Sequence, residues 1–298
     1  MASADQTSQG SPQTSATHTL DVPGAILTYE VREGSGDTSR PLFIFGSPMA
    51  ASGFSELIMH FDDRTLITYD PRGAERSELA PGGEVTTEIH ADDLHRVVAA
   101  TRLGPVDAFG SSGGAQNALA WIVDHPEDVV TVVAHEPPLV TLLDDREMAL
   151  RVNADIVDTY QRDGYGPAMA KFIQLVMHQG PLPDDYLDRP APDPTQFGLP
   201  SKDDGSRDDP LLSRNLAMPP FEPDVEALRA SPVRIVPAIG AVGKGTMASR
   251  GGGALARLLG AEPVVFPGDH GGFTVNPMSP NNDPSAFAAR LREVLGGV

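Results

Sequence analysis

The 298-residue sequence has no cysteine and a single tryptophan. Without a thiol there are no disulfides, no thiolate metal sites and no cysteine nucleophile. Positive charge is scarce as well. Twenty-two lysines and arginines stand against forty-one aspartates and glutamates, giving a formal net charge of −19. Nucleic acids and anionic membrane surfaces reward the opposite sign, so neither is an expected partner. No apolar run reaches the length of a membrane span. Residues 1–17 are polar and low in complexity, with neither a basic start nor an apolar stretch, which speaks against a secretory signal and predicts a disordered tail. Cytoplasmic location is the resulting default. What remains is a globular composition, 40% hydrophobic, long enough for one large α/β domain or two smaller ones.

One stretch carries most of the chemical information. Val106 to Phe109 reads as a short buried strand, Gly110-Ser111-Ser112-Gly113-Gly114 follows, and Ala115 to His125 has helical spacing, with Ala118, Leu119, Ile122 and Val123 on one face and Pro126 ending it. The pentapeptide matches G-x-S-x-G, the nucleophile elbow, in its strand–turn–helix setting. Such a turn leaves no room for a side chain two residues before or after the nucleophile. Ser112 satisfies this with Gly110 and Gly114, whereas Ser111 would place Phe109 at the first flank. The plainer alternative is an ordinary Gly/Ser turn, because a motif is a hypothesis until its context is met.

Around this stretch, strands and helices alternate. His18 to Asp21 and Ile26 to Arg32 predict an opening hairpin; Leu42 to Phe45, Leu66 to Tyr69 and Val129 to Ala134 predict buried strands. Ser52 to Phe61 and Thr87 to Leu103 predict helices, the first burying Phe54, Leu57, Ile58 and Phe61 and the second stopped by Gly104. The pattern implies a mostly parallel sheet with helices on both faces. From about 139 to 229 no good strand appears. Asp144 to Gly164, Pro167 to His178 and Glu226 to Arg229 are helix-like, and 180–210 is a Pro-, Asp- and Gly-rich loop. Strands return at Val233 to Pro237 and Pro263 to Phe266, and Asp283-Pro284 opens a last helix that Gly296 ends. The helical block thus interrupts a sheet domain formed by 18–138 and 230–298. No internal repeat is evident.

Three separated motifs carry a resemblance: the elbow, Tyr69-Asp70-Pro71-Arg72-Gly73, and Pro267-Gly268-Asp269-His270-Gly271-Gly272-Phe273 after the last strand. Over about residues 18 to 298 the chain resembles the α/β-hydrolase superfamily with an inserted helical cap. More narrowly it resembles actinobacterial hydrolases of unassigned substrate, and three lysines beside nineteen arginines fit a GC-rich genome. The resemblance implies Ser112 as nucleophile and His270 as the base that takes its proton, since a serine hydroxyl is a poor nucleophile at neutral pH. It usually places the third member, a carboxylate, after the seventh strand, but Ala238 to Gly245 contains none. A variant found in zearalenone-type lactonases and one haloalkane dehalogenase subgroup carries it after the sixth. There Glu136, 24 residues beyond the serine, is the candidate, the alternative being a solvated carboxylate at a strand end. Asp269 is expected to fix the histidine loop.

Oxyanion donors are expected from the backbone N–H of Gly113, by the elbow rule, and of Ser47, because Pro48 has no N–H. Where many relatives have His-Gly, this chain has Phe45-Gly46, which removes a bond that steadies that loop. Asp70 and Arg72 read as a turn-stabilising pair. The other seven histidines read as structural or exposed. Met148, Tyr160, Phe172, Met177 and Phe221 can line an acyl pocket or simply form the cap's own core.

The expectation is a serine hydrolase that cleaves an ester or lactone of a small, largely apolar molecule through an acyl-enzyme. It calls for no cofactor and no metal, and is a monomer or homodimer. Two alternatives remain: a lyase, perhydrolase or cyclase of secondary metabolism on the same fold, and a non-catalytic binding protein.

Overall fold

Short apolar strands and longer amphipathic helices assemble into one nine-stranded sheet in the computed structural model, which describes residues 15–36 and 40–296. The strands are β1 (Ser15–Val22), β2 (Ala25–Arg32), β3 (Leu42–Phe45), β4 (Leu66–Asp70), β5 (Glu78–Leu79), β6 (Val106–Ser111), β7 (Val129–His135), β8 (Arg234–Gly240) and β9 (Val264–Phe266). Their order is β1-β2-β4-β3-β6-β7-β8-β9, with β5 paired to β2. β2 runs antiparallel to β1, β4 and β5, and every pair from β4–β3 to β8–β9 is parallel. The expected fold class is therefore present, hairpin included.

Side-chain alternation along the parallel strands explains why they read as continuous apolar runs. In β3, Phe43 and Phe45 enter one core cluster while Leu42 and Ile44 enter another on the opposite face; in β6, Ala108 and Phe109 divide the same way. With both faces covered, most positions are apolar, and the polar exceptions are few, such as Asp107 in β6, which is buried and paired with Arg64. One face packs against α2 (Thr87–Thr101) and α3 (Gly113–Asp124), the other against α1 (Ser55–Ile58) and α8 (Pro284–Gly296).

Between β7 and β8 the chain leaves the sheet. Helices α4 (Arg146–Asp163) and α5 (Tyr165–Met177) lie there, with short 3-10 turns, a π-helical turn at Leu211–Asn215, and α6 (Val225–Ala230). Val152, Ile156, Tyr160, Ala168 and Leu212 form a third core cluster of their own. Met148 and Tyr160 are buried in it and Phe172 packs against it. Met177 is exposed, and Phe221 leans instead on the main core. Met148, Tyr160 and Phe172 thus take part in the insertion's own core.

Several boundaries differ from the sequence expectation. β1 begins at Ser15, so residues 15–17 belong to the sheet and not to a tail; 1–14 lie outside the described residues. The helix expected over 52–61 is a 3-10 turn, Ala51–Phe54, followed by the four residues of α1, although Phe54, Leu57 and Phe61 are fully buried as anticipated. Helix α2 stops at Thr101, where Arg102 itself takes the left-handed conformation (φ 57°), two residues ahead of Gly104. A helix the sequence did not announce, α7 (Met247–Leu258), runs between β8 and β9. Among the described residues no helix is long and apolar enough to cross a membrane.

Candidate active site

Strands β6 to β9 end side by side, and the candidate residues follow their C-terminal ends, where open α/β sheets place their ligands. Ser112 occupies the bend between β6 and α3 with φ 57° and ψ −127°. This is a region that non-glycine residues enter only when their surroundings force them to. The force here is contact on all sides. A Cβ at Gly114 would stand 2.7 Å from the Gly46 Cα, one at Gly113 would stand 2.5 Å from the Ser47 carbonyl oxygen, and one at Gly110 would stand 3.0 Å from the Ala115 Cα. The flanking glycines are thus demanded by space. The Ser112 N–H donates to the His135 carbonyl (2.9 Å), and its own carbonyl accepts from Ala115 and Gln116, which starts α3 at the bend.

Glu136 sits just past β7, 1% exposed, and also has positive φ (47°). Both carboxylate oxygens are engaged. Oε2 accepts from His270 Nδ1 at 2.7 Å, and Oε1 accepts the Gly240 N–H at 2.9 Å. Its backbone N–H donates to the Ala238 carbonyl (2.9 Å). Burial opposes its charge. The hydrogen bond from His270, the imidazoles of His135 and His270, and the Gly240 N–H outweigh that and hold the carboxyl below the ordinary glutamate value. A carboxylate accepts only, so the bond fixes the His270 tautomer: Nδ1 carries the proton and Nε2 is left to act as a base. The last residue of β8 thus contributes a backbone donor to Glu136.

His270 follows β9 on a loop whose shape is set by its neighbours. Asp269 accepts the Gly271 N–H (2.9 Å), while Asn282 accepts from the Asp269 N–H (3.0 Å) and donates to the Gly271 carbonyl (3.1 Å). Asp269 is therefore a loop fastener, and Asn282, which carried no motif, is its partner. Among the described residues no hydrogen bond joins Ser112 to His270. Such bonds commonly form only when substrate is bound.

Beside the serine, Gly113 heads α3, so its N–H has no partner within the helix. The Ser47 backbone packs against it, as the 2.5 Å approach shows. The Ser47 hydroxyl accepts from Asn215 Nδ2 at 2.9 Å, a contact reaching down from the helical insertion. The loop after β3 is steadied by Asp70, which accepts the Ala51 N–H (3.0 Å) and pairs with Arg76 (2.6 Å). Arg72 does not pair with Asp70. It makes a buried two-pronged bond to Asp93 on α2 (2.7 and 2.6 Å), so the expected Asp70–Arg72 pair is two separate ones. Sequence had no means to reveal Asn215 or Asp93, because each is brought in from a distant segment.

His135, next to Glu136, is fully buried among Phe109, Phe266, Phe273 and Phe287, with its ring stacked 6.1 Å from that of His270. Burial pushes its pKa down to about 4, so it is a neutral packing group behind the site.

A sequence model of the alpha/beta hydrolase fold matches residues 42–206, and the chain belongs to this family. An uncharacterised hydrolase of Bacillus subtilis (strain 168), YraK, is 33% identical over 283 residues, 93% of this chain and 95% of the relative. The enol-lactonase of Burkholderia xenovorans LB400 superposes with a TM-score of 0.64 at 16% identity, covering 94% of this chain and all of the other. An esterase of Exiguobacterium antarcticum gives 0.67 at 18% identity, covering 93% and 97%.

Proposed function

We propose that the chain is a serine hydrolase that cleaves an ester or lactone of a small, largely apolar molecule. Ser112 attacks the carbonyl carbon while His270 Nε2 takes its proton. Glu136 holds the imidazole in the tautomer that can do so and stabilises the imidazolium once formed. The N–H groups of Gly113 and Ser47 receive the developing oxyanion, each worth about 3 kcal/mol of transition-state stabilisation. His270 then protonates the leaving alcohol, water enters, and the same histidine activates it to release the acid and restore the serine. In this reading the acid stands after the sixth strand of the family's scheme, as in zearalenone-type lactonases. The observation that carries it is the 2.7 Å Glu136–His270 bond at the sheet edge that also bears the strained Ser112. The esterase and lactonase names of the structural neighbours agree with the ester class.

The test is hydrolysis of short p-nitrophenyl esters together with covalent labelling by a fluorophosphonate. Wild type is expected to turn over and to label at Ser112, and Ser112→Ala to do neither. A wild type as inert as Ser112→Ala in both assays would refute the proposal.

A further inference from the structure

At the end of α3 remote from Ser112, two imidazoles and two carboxylates meet outside any role described so far. His95 on α2 and His125, the residue after α3, stack face to face with centroids 3.7 Å apart and planes 11° from parallel. Glu127 Oε1 lies 3.4 Å from His125 Nδ1. One ligand atom each from His95, His125 and Glu127 falls within 4.8 Å of the others. A fourth residue stands behind them. Asp128 Oδ2 is 2.7 Å from His95 Nδ1 and also accepts the indole N–H of Trp121 at 2.9 Å. The carboxylate fixes the proton on Nδ1 and leaves the Nε2 lone pair of His95 available to a ligand bond. That is the arrangement by which an outer carboxylate orients a metal-bound histidine.

We propose that His95, His125 and Glu127 form a surface site for a divalent transition ion of the zinc class, with Asp128 as its positioning residue. The donor set, two imidazoles and one carboxylate, suits a borderline ion over magnesium or calcium, which select oxygen. Bonds of about 2.0–2.2 Å require the three ligand atoms to close to roughly 3.3–3.5 Å of one another. His125 is 30% and Glu127 66% exposed at the side chain, so these two can turn toward His95, which Asp128 holds in place, and water would take the fourth position. The ion would tie α2 to the connection between α3 and β7. Helix α3 has 12 residues, so the site lies about 18 Å from the Ser112 end. It is therefore independent of the hydrolase chemistry.

The experiment uses the full chain, stripped with a chelator and titrated with zinc chloride by calorimetry, with melting temperature as a second readout. One zinc per chain and a rise in melting temperature of several degrees are expected, with no response to equimolar magnesium. His125→Ala and His95→Gln are expected to weaken binding at least tenfold, and Asp128→Asn 10- to 100-fold. His18→Gln, remote and exposed, should leave binding unchanged, and circular dichroism reports that each variant is folded. Absence of zinc uptake, or uptake equally strong in the folded His95→Gln and His125→Ala variants, would overturn the proposal.

Discussion

The sheet edge and the helical insertion hold their polar groups in opposite ways. At the edge the fixed partners are backbone groups: a carbonyl of β7 receives the Ser112 N–H, an N–H of β8 meets the Glu136 carboxylate, and the Asn282 amide bridges the Asp269 N–H and the Gly271 carbonyl. The insertion has its own apolar cluster, and side-chain tethers join it to the rest. Asn215 reaches Ser47, Arg214 reaches the Gly73 carbonyl (2.8 Å), and Asp145 pairs with Arg250 on α7. The Ser112 bond runs from backbone to backbone and survives most side-chain substitutions, whereas each tether of the insertion begins at a side chain. Alignment of the candidate site residues therefore rests chiefly on the sheet.

The largest effect should come from the edge. Glu136→Gln keeps the shape but loses the charge and the tautomer control, so kcat/KM on a p-nitrophenyl ester should fall roughly 10³- to 10⁴-fold with little change in KM. A fall under tenfold would return Glu136 to the standing of a strand-end carboxylate. Next is Arg72→Met, which leaves Asp93 buried without its partner; burial already pushes the Asp93 carboxyl up, and denaturant unfolding should register a loss of about 3–5 kcal/mol.

Acid should loosen the core before the insertion. His135 and His90 are buried in the core and neutral in the fold, with pKa values lowered to about 4 and about 3, mainly by burial. The unfolded chain takes up these protons below about pH 6.5, so stability declines as pH falls through that point and continues to decline to about pH 4. At pH 5 each should cost about 2 kcal/mol relative to neutral pH, and His135→Phe should remove roughly half of the combined loss. An unfolding free energy equal at pH 7 and pH 5 would refute this. The insertion's one histidine, His178, is only partly buried.

Smallest is Asn215→Ala. Removing one neutral tether to the Ser47 hydroxyl should cost about 1 kcal/mol or less in stability, yet lower kcat/KM by roughly three- to tenfold through looser placement of the Ser47 N–H. Loss confined to stability would place Asn215 in packing alone.

The same division explains what could be read in advance. Strands β3, β4, β6 and β7 were legible because burial on both faces leaves a mostly apolar run, and Ser112 because its bend tolerates only glycine at fixed spacings. Glu136 was reachable only through the resemblance to the variant whose acid follows the sixth strand, since nothing local distinguishes it. Helix α7 was hidden by Gly251-Gly252-Gly253, a run costing about 1 kcal/mol per residue in helix propensity. Tertiary contact overrides that preference: a Cβ at Gly251 would stand 2.2 Å from the Pro137 carbonyl oxygen, and one at Gly252 2.9 Å from that of Ala238. Close approach behind the Glu136 strand end matters more there than local helicity. The Arg72–Asp93 pair and Asn215 were invisible for another reason, because partners far apart in sequence leave no periodic trace.

Gly240 meets Glu136 with a backbone donor at the C-terminal end of β8. On the proposed reading the acid stands one strand over, and the stretch from Ala241 to Gly245 carries no reacting group. It is then free to diverge in length and chemistry, and a lineage could re-tailor that rim toward new substrates without touching its catalytic machinery.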